Sequence, residues 1–165
     1  MQELLDEVLY RICTCSYFRY MYWSSYQIIE RAELDGTNRL TVLRDWYSMY
    51  DVLGLALDIQ TNGLYFASFQ KSSIYHIALD DRYRTRKVPE VPRSLGRPFL
   101  LAVDDLFLYW NTGYHIPGNT YRTDKTRINN QFEIVLKGLK DPRGIAIHKG
   151  NSTQDSKYTI YSVSH

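Results

Sequence analysis

Gly54-Leu55-Ala56-Leu57-Asp58 returns 46 residues later as Leu100-Leu101-Ala102-Val103-Asp104, and again after 44 residues as Gly144-Ile145-Ala146-Ile147-His148. A second phrase keeps nearly the same step: Tyr22-Trp23-Ser24-Ser25, Tyr65-Phe66-Ala67-Ser68 and Tyr109-Trp110-Asn111-Thr112. A third lies between them, Ile29-Glu30-Arg31-Ala32-Glu33-Leu34-Asp35-Gly36 against Ile74-Tyr75-His76-Ile77-Ala78-Leu79-Asp80-Asp81, with Thr120-Tyr121-Arg122-Thr123-Asp124-Lys125 as a degenerate copy in register. Three phrases in one order, at a period of roughly 40 to 50 residues, mark a propeller or a solenoid.

Each period reads as strands, because short β-branched and aromatic runs alternate with turn residues and no stretch sustains a helical apolar spacing. In the second copy the strands are expected at 54–58, 64–68, 73–79 and 85–88, the last ending before Pro89 and Pro92. Gln60-Thr61-Asn62-Gly63 is the expected hairpin turn between the first two. In the first copy Asp35-Gly36-Thr37-Asn38 makes the matching reversal, with Gly36 supplying a positive φ. Four antiparallel strands per period make a propeller blade.

These phrases resemble the YWTD, or class B, repeat of the low-density-lipoprotein-receptor family, whose six blades close into a ring in receptor ectodomains. The resemblance is densest over 20–58 and extends to about 150, where Asp141-Pro142-Arg143-Gly144-Ile145-Ala146 is similar to the family's proline-containing approach to the innermost strand. It implies an all-β fold, an incomplete six-bladed-type propeller of about three to four blades, spanning 19–150. Residues 1–18 are expected to form a helical or irregular leader, with Leu4, Leu5, Val8, Leu9 and Ile12 on one helix face. Residues 151–165 form a tail with room for one further strand.

The motif positions depart from the family in a consistent way. Its closing Asp, part of a network that ties neighbouring blades in the family, is replaced by Ser25, Ser68 and Thr112, and its Thr by Ser24, Ala67 and Asn111. Neutral hydroxyls make bonds about half as strong as charge-assisted ones, so weaker blade ties are expected. About half a ring also leaves sheet faces unpaired. Three readings follow: a piece of a longer receptor, a half-ring that self-associates, or a degenerate product.

Composition narrows the function classes. The net charge of +2 carries no overall footprint for nucleic acid. Arg82, Arg84, Arg86 and Lys87, with Arg93 and Arg97 beyond them, form a local basic patch that suits an acidic ligand face or a sulfated glycan, or simply a solvated edge. No apolar run is long enough to span a membrane, and the acidic first residues do not resemble a signal peptide. In the family context, membrane attachment belongs to other parts of a parent receptor, and the chain lies outside the cell or in the endosomal lumen. Asn151-Ser152-Thr153 is a glycosylation acceptor, and Cys13-x-Cys15 is too close to bond to itself comfortably. The pair resembles the Cys-x-Cys of an EGF-like module, the usual neighbour of these propellers; two buried free thiols are the other reading.

No catalytic or phosphate-cradling motif and no Cys/His cluster appears, so no cofactor or metal is expected. Asp80-Asp81 and Asp104-Asp105 sit where turns are expected. His148 stands where the sister repeats carry Asp58 and Asp104, which makes it a candidate pH-sensing group. The expected function is a non-catalytic binding module contacting a protein ligand or neighbouring receptor modules in endocytosis or signalling. The alternatives are a propeller remnant without activity of its own and a metal-dependent propeller hydrolase.

Overall fold

The structure is a computed structural model that describes residues 11–15, 19–25, 28–44, 52–80, 85–87, 91–113, 117–125, 131–149 and 158–164. Three four-stranded sheets follow one another along the chain. The first holds β1 (Arg11–Cys15), β2 (Tyr20–Ser25), β3 (Ile28–Glu33) and β4 (Leu40–Arg44) in chain order. The second holds β5 (Val52–Asp58), β6 (Gly63–Ser68), β7 (Ser73–Ala78) and β8 (Thr85–Lys87), and the third β9 (Leu100–Val103), β10 (Phe107–Asn111), β11 (Gly118–Asp124) and β12 (Glu133–Leu139). A two-stranded sheet of β13 (Pro142–Lys149) and β14 (Tyr158–Ser164) comes last. All neighbouring strands pair antiparallel.

The first strands of successive sheets pack side by side, β5 against both β1 and β9, and β9 against β13. This is the fan of blades expected from the repeats. All four strands expected in the second copy are present to within two residues of the expected limits.

Strand periodicity explains the Tyr-Trp dipeptide. Successive side chains point to opposite faces, so the first motif residue of the first and second blades faces the following blade, and the second motif residue of the second and third blades faces the preceding one. Tyr22 of the first blade meets Phe66 of the second in one buried cluster with Ile29, Val52 and Leu64. Tyr65 of the second meets Trp110 of the third in another, with Ala67, Ile74 and Leu101. Two aromatic residues in tandem therefore fill two blade interfaces, each ring removing roughly 150–250 Å² from water.

The register also corrects the expected leader. Cys13 stands opposite Tyr22 as Ala56 stands opposite Tyr65 and Ala102 opposite Tyr109. Arg11–Cys15 is thus the innermost strand of the first blade, which takes Ile12 off the expected helix face; residues 1–10 lie outside the described residues. At the other end Tyr161 pairs with Ala146 in the same way. Tyr161-Ser162-Val163-Ser164 is a fourth copy of the second phrase, eroded beyond recognition in sequence but in the right place on the sheet.

The turns carry the expected residues with one change of role. Gly36 has φ +88° as anticipated, and the Asp35 carboxylate accepts bonds from the Thr37 amide and hydroxyl, which hold it below its ordinary pKa. In the Asn62-Gly63 turn it is Asn62 that takes the left-handed conformation, at φ +48°. Gly63 is needed for a different reason: a Cβ there would stand 2.1 Å from Nε2 of His76, whose buried ring packs edge-on to Tyr65 at 4.8 Å. Gly63→Ala is expected to cost about 1–3 kcal/mol in chemical denaturation, since the ring must leave a packed site. A loss below about 0.5 kcal/mol would mean that the His76 ring does not occupy this position.

Candidate functional site

The motif residues form ties between blades, but not through the closing position. Ser24 Oγ donates to the Val52 carbonyl of the next blade at 3.1 Å. Asn111 Nδ2 reaches the Gly144 carbonyl of the next blade in a longer contact of 3.5 Å, while its Oδ1 accepts from Thr120 Oγ1 at 2.7 Å. Both belong to the third motif position. Of the closing residues, Ser25 is half-buried, Ser68 is buried with no hydrogen-bond partner for its Oγ among the described residues, and Thr112 bonds within its own blade, to the backbone of Asn119.

The third position of the second blade is Ala67, which has nothing to donate. There the tie is ionic. Lys125 Nζ, just beyond β11 of the third blade, meets Asp58 Oδ2 at the end of β5 of the second blade at 2.9 Å, with only 4% and 2% of the two side chains exposed. Asp58 also accepts from the Gln60 amide and the Thr61 hydroxyl. One carboxylate therefore closes its own turn and fastens the neighbouring blade. The charged tie between these two blades thus sits at the end of the innermost strand, not at the closing motif position.

Asp104 holds the equivalent place in the third blade and shapes its turn by accepting from the amides of Leu106 and Phe107 and from the Tyr109 hydroxyl at 2.7 Å. Burial and the bond to Asp104 push the Tyr109 pKa far above the ordinary tyrosine value of about 10. The folded state therefore keeps this proton where the unfolded chain has released it, and stability must fall as pH rises past 10. Tyr109→Phe is expected to flatten that alkaline decline in denaturation midpoints measured from pH 8 to 11. Equal slopes in the two proteins would show that Tyr109 is not held this way.

On the same blade, burial works against the charge of Arg122. Its bonds to Glu133, at 2.7 Å, and to Tyr109 outweigh that, so its pKa is raised.

Cys15, Asp58, Asp104 and His148 all stand two residues beyond the strand position that pairs with the motif tyrosine. Asp58 and Asp104 act in turns, as expected at Asp104; the side chains of Cys15 and His148 lie outside the described residues. Arg82, Arg84 and Asn151 also lie outside them, and Arg86 and Lys87 are placed only as backbone on β8, opposite His76 and Tyr75. Arg93 and Arg97 are exposed near a 3-10 turn at Arg93–Leu95. Among the described residues no three His, Cys, Asp or Glu side chains gather as a metal-holding group, and no helix is long and apolar enough to cross a membrane.

Each blade has two ends, and both carry a recess between the second and third blades. At the lower end, where β5 and β9 finish, the two turns enclose a notch of about 110 Å³ lined by Asp58, Ile59, Asp104 and Asp105. Ile59 is 50% exposed there, and Leu106, beside Asp105, is 56% exposed. At the upper end a larger cleft of about 460 Å³ lies between the β6–β7 turn at Phe69, the 93–97 segment and the β10–β11 hairpin. The repeat pointed to neither recess, because each is built by turns from two different periods.

No family model matches the chain, and no curated protein does. Solved structures do. A chain of the nidogen–laminin complex superposes with a TM-score of 0.61 at 18% identity, over 73% of this chain and 45% of that one. A streptogramin B lyase superposes at 0.63 and 16% identity, covering 97% and 56%. YCF48, solved with D1 peptide, superposes at 0.58 and 15% identity, covering 87% and 47%. The chain spans about half the length of each of these structures. Its three and a half antiparallel sheets, set about neighbouring innermost strands, are part of a β-propeller.

Proposed function

We propose that this chain is a non-catalytic protein-binding part of a propeller, of the low-density-lipoprotein-receptor class B kind, set in the ectodomain of an endocytic or signalling receptor. The observation that carries the binding role is the lower end of the second and third blades. Ile59 and Leu106 project from adjacent turns with half or more of their surface in water, beside Asp104 and Asp105. Large aliphatic side chains exposed at turn tips with a charged rim have the make-up of a docking patch. The likeness to a chain of a nidogen–laminin complex and to a D1-peptide-bound YCF48 supports the same reading, as does the ordered class B phrase in the sequence.

The test is a double substitution, Ile59→Asp with Leu106→Asp. Both residues are exposed, so the melting temperature should move little. Partners recovered by the wild type from an extracellular or endosomal preparation should be lost by the variant. Recovery of the same partners by both proteins would remove this patch from the account. Partners that are all cytosolic would overturn the receptor setting.

A further inference from the structure

We infer that the upper-end cleft between the second and third blades is a second binding site, one that takes an acidic peptide segment carrying a Glu or Asp next to an apolar residue. It rests on the propeller fold but not on the lower-end patch. The cleft measures about 460 Å³ and lies within the range of sites that hold small ligands or a few side chains. Its walls are apolar at Phe69, Leu95 and Tyr121.

Among the described lining residues there is one charge, Arg97, and no carboxylate. Its guanidinium is exposed and lies over the Phe69 ring at 4.9 Å. An arginine laid on an aromatic face is held in place by that face, and it still presents its planar fork to an incoming carboxylate. The ring thus pre-organises the cation, so less conformational freedom is lost when an anion arrives.

One feature favours a peptide over a sulfated glycan. A glycan that carries a sulfate on most sugars is held by a row of cations, whereas the described cleft offers one between apolar walls. Gly96 and Gly118 also line the cleft, but each is packed against Thr112, which takes the space a Cβ would need. A carboxylate would meet Arg97 while the neighbouring apolar side chain packed against Leu95 and Tyr121.

The experiment is selection of a phage-displayed random dodecapeptide library against the full chain, with Arg97→Gln, Arg97→Lys and the Ile59→Asp/Leu106→Asp variant in parallel. Wild type and the lower-end variant should enrich sequences with Asp or Glu beside an apolar residue. Arg97→Gln should lose the acidic preference, and a selected peptide should bind it about tenfold more weakly, since a charge-assisted bond is removed. Arg97→Lys should keep part of the preference.

Because Arg97 is exposed, the variants should fold, and unchanged circular dichroism would confirm it. No enrichment, acidic enrichment equal in wild type and Arg97→Gln, or enrichment without acidic residues would overturn the proposal. So would a heparin hexasaccharide that binds through Arg97 while peptides do not. Loss of acidic enrichment in the lower-end variant alone would also overturn it, by placing the peptide at the other end. Failure at Arg97 leaves the lower-end reading standing, and the reverse holds as well.

Discussion

Lys125→Ala is expected to lower the stability of the protein by about 3–5 kcal/mol, seen as a shift of the urea midpoint. Both members of the Lys125–Asp58 pair are almost fully enclosed, and these two residues, 67 apart in sequence, join the second and third blades. Removing the ammonium leaves a carboxylate that is only 2% exposed without its counter-charge. The Gln60 amide and the Thr61 hydroxyl still donate to it, and two neutral donors do not balance a buried charge. A companion substitution isolates the cause. Asp58→Asn with Lys125→Met removes both charges and keeps the volume, so it should recover most of the loss, because a well-packed neutral pair often matches a buried ion pair. If Lys125→Ala costs less than about 1 kcal/mol, the pair is not enclosed between blades.

Trp110→Ala should cost a similar amount, about 3–5 kcal/mol, for a different reason. Trp110 is fully buried and stacks on Tyr121 with ring centres 5.6 Å apart, while Phe132 meets it edge-on at 5.5 Å. It packs in the cluster that joins the second and third blades through Tyr65 and Ala67. Truncation therefore opens a cavity in a blade interface and takes the filling from two aromatic contacts. Trp110→Phe should retain much of the stability, since Phe66 holds the equivalent place in the second blade. Equal losses for Ala and Phe would indicate that the indole is not packed as a second motif residue.

Sequence periodicity was enough to locate the strands of the second blade, because the repeat sets short apolar and aromatic runs between recognisable turn residues. It was not enough for the ends. Arg11–Cys15 carries Arg, Cys and Thr where sister strands carry Gly, Ala and aliphatics, and only pairing with Tyr20–Ser25 reveals it as an innermost strand. Tyr161-Ser162-Val163-Ser164 kept its tyrosine and lost its tryptophan, so no phrase match marks it.

The blade ties were half legible. That Ser25, Ser68 and Thr112 carry no carboxylate was plain, but the ionic tie was not, since Lys125 and Asp58 belong to different periods and meet only after folding. The same holds for the two recesses, whose walls come from turns that no single repeat contains. An Asp-Gly or Asn-Gly pair announces a turn; it does not announce which neighbouring turn will stand beside it.

Equivalence of the blades is the proposition on which the rest depends, and nuclear magnetic resonance of the labelled 19.5 kDa chain tests it most directly. Cross-strand backbone contacts should link Tyr22 to Cys13, Tyr65 to Ala56, Tyr109 to Ala102 and Tyr161 to Ala146 in one antiparallel pattern. Helical contacts over Arg11–Cys15 or Tyr158–Ser164, or pairings that join these four tyrosines to partners in unrelated register, would contradict it.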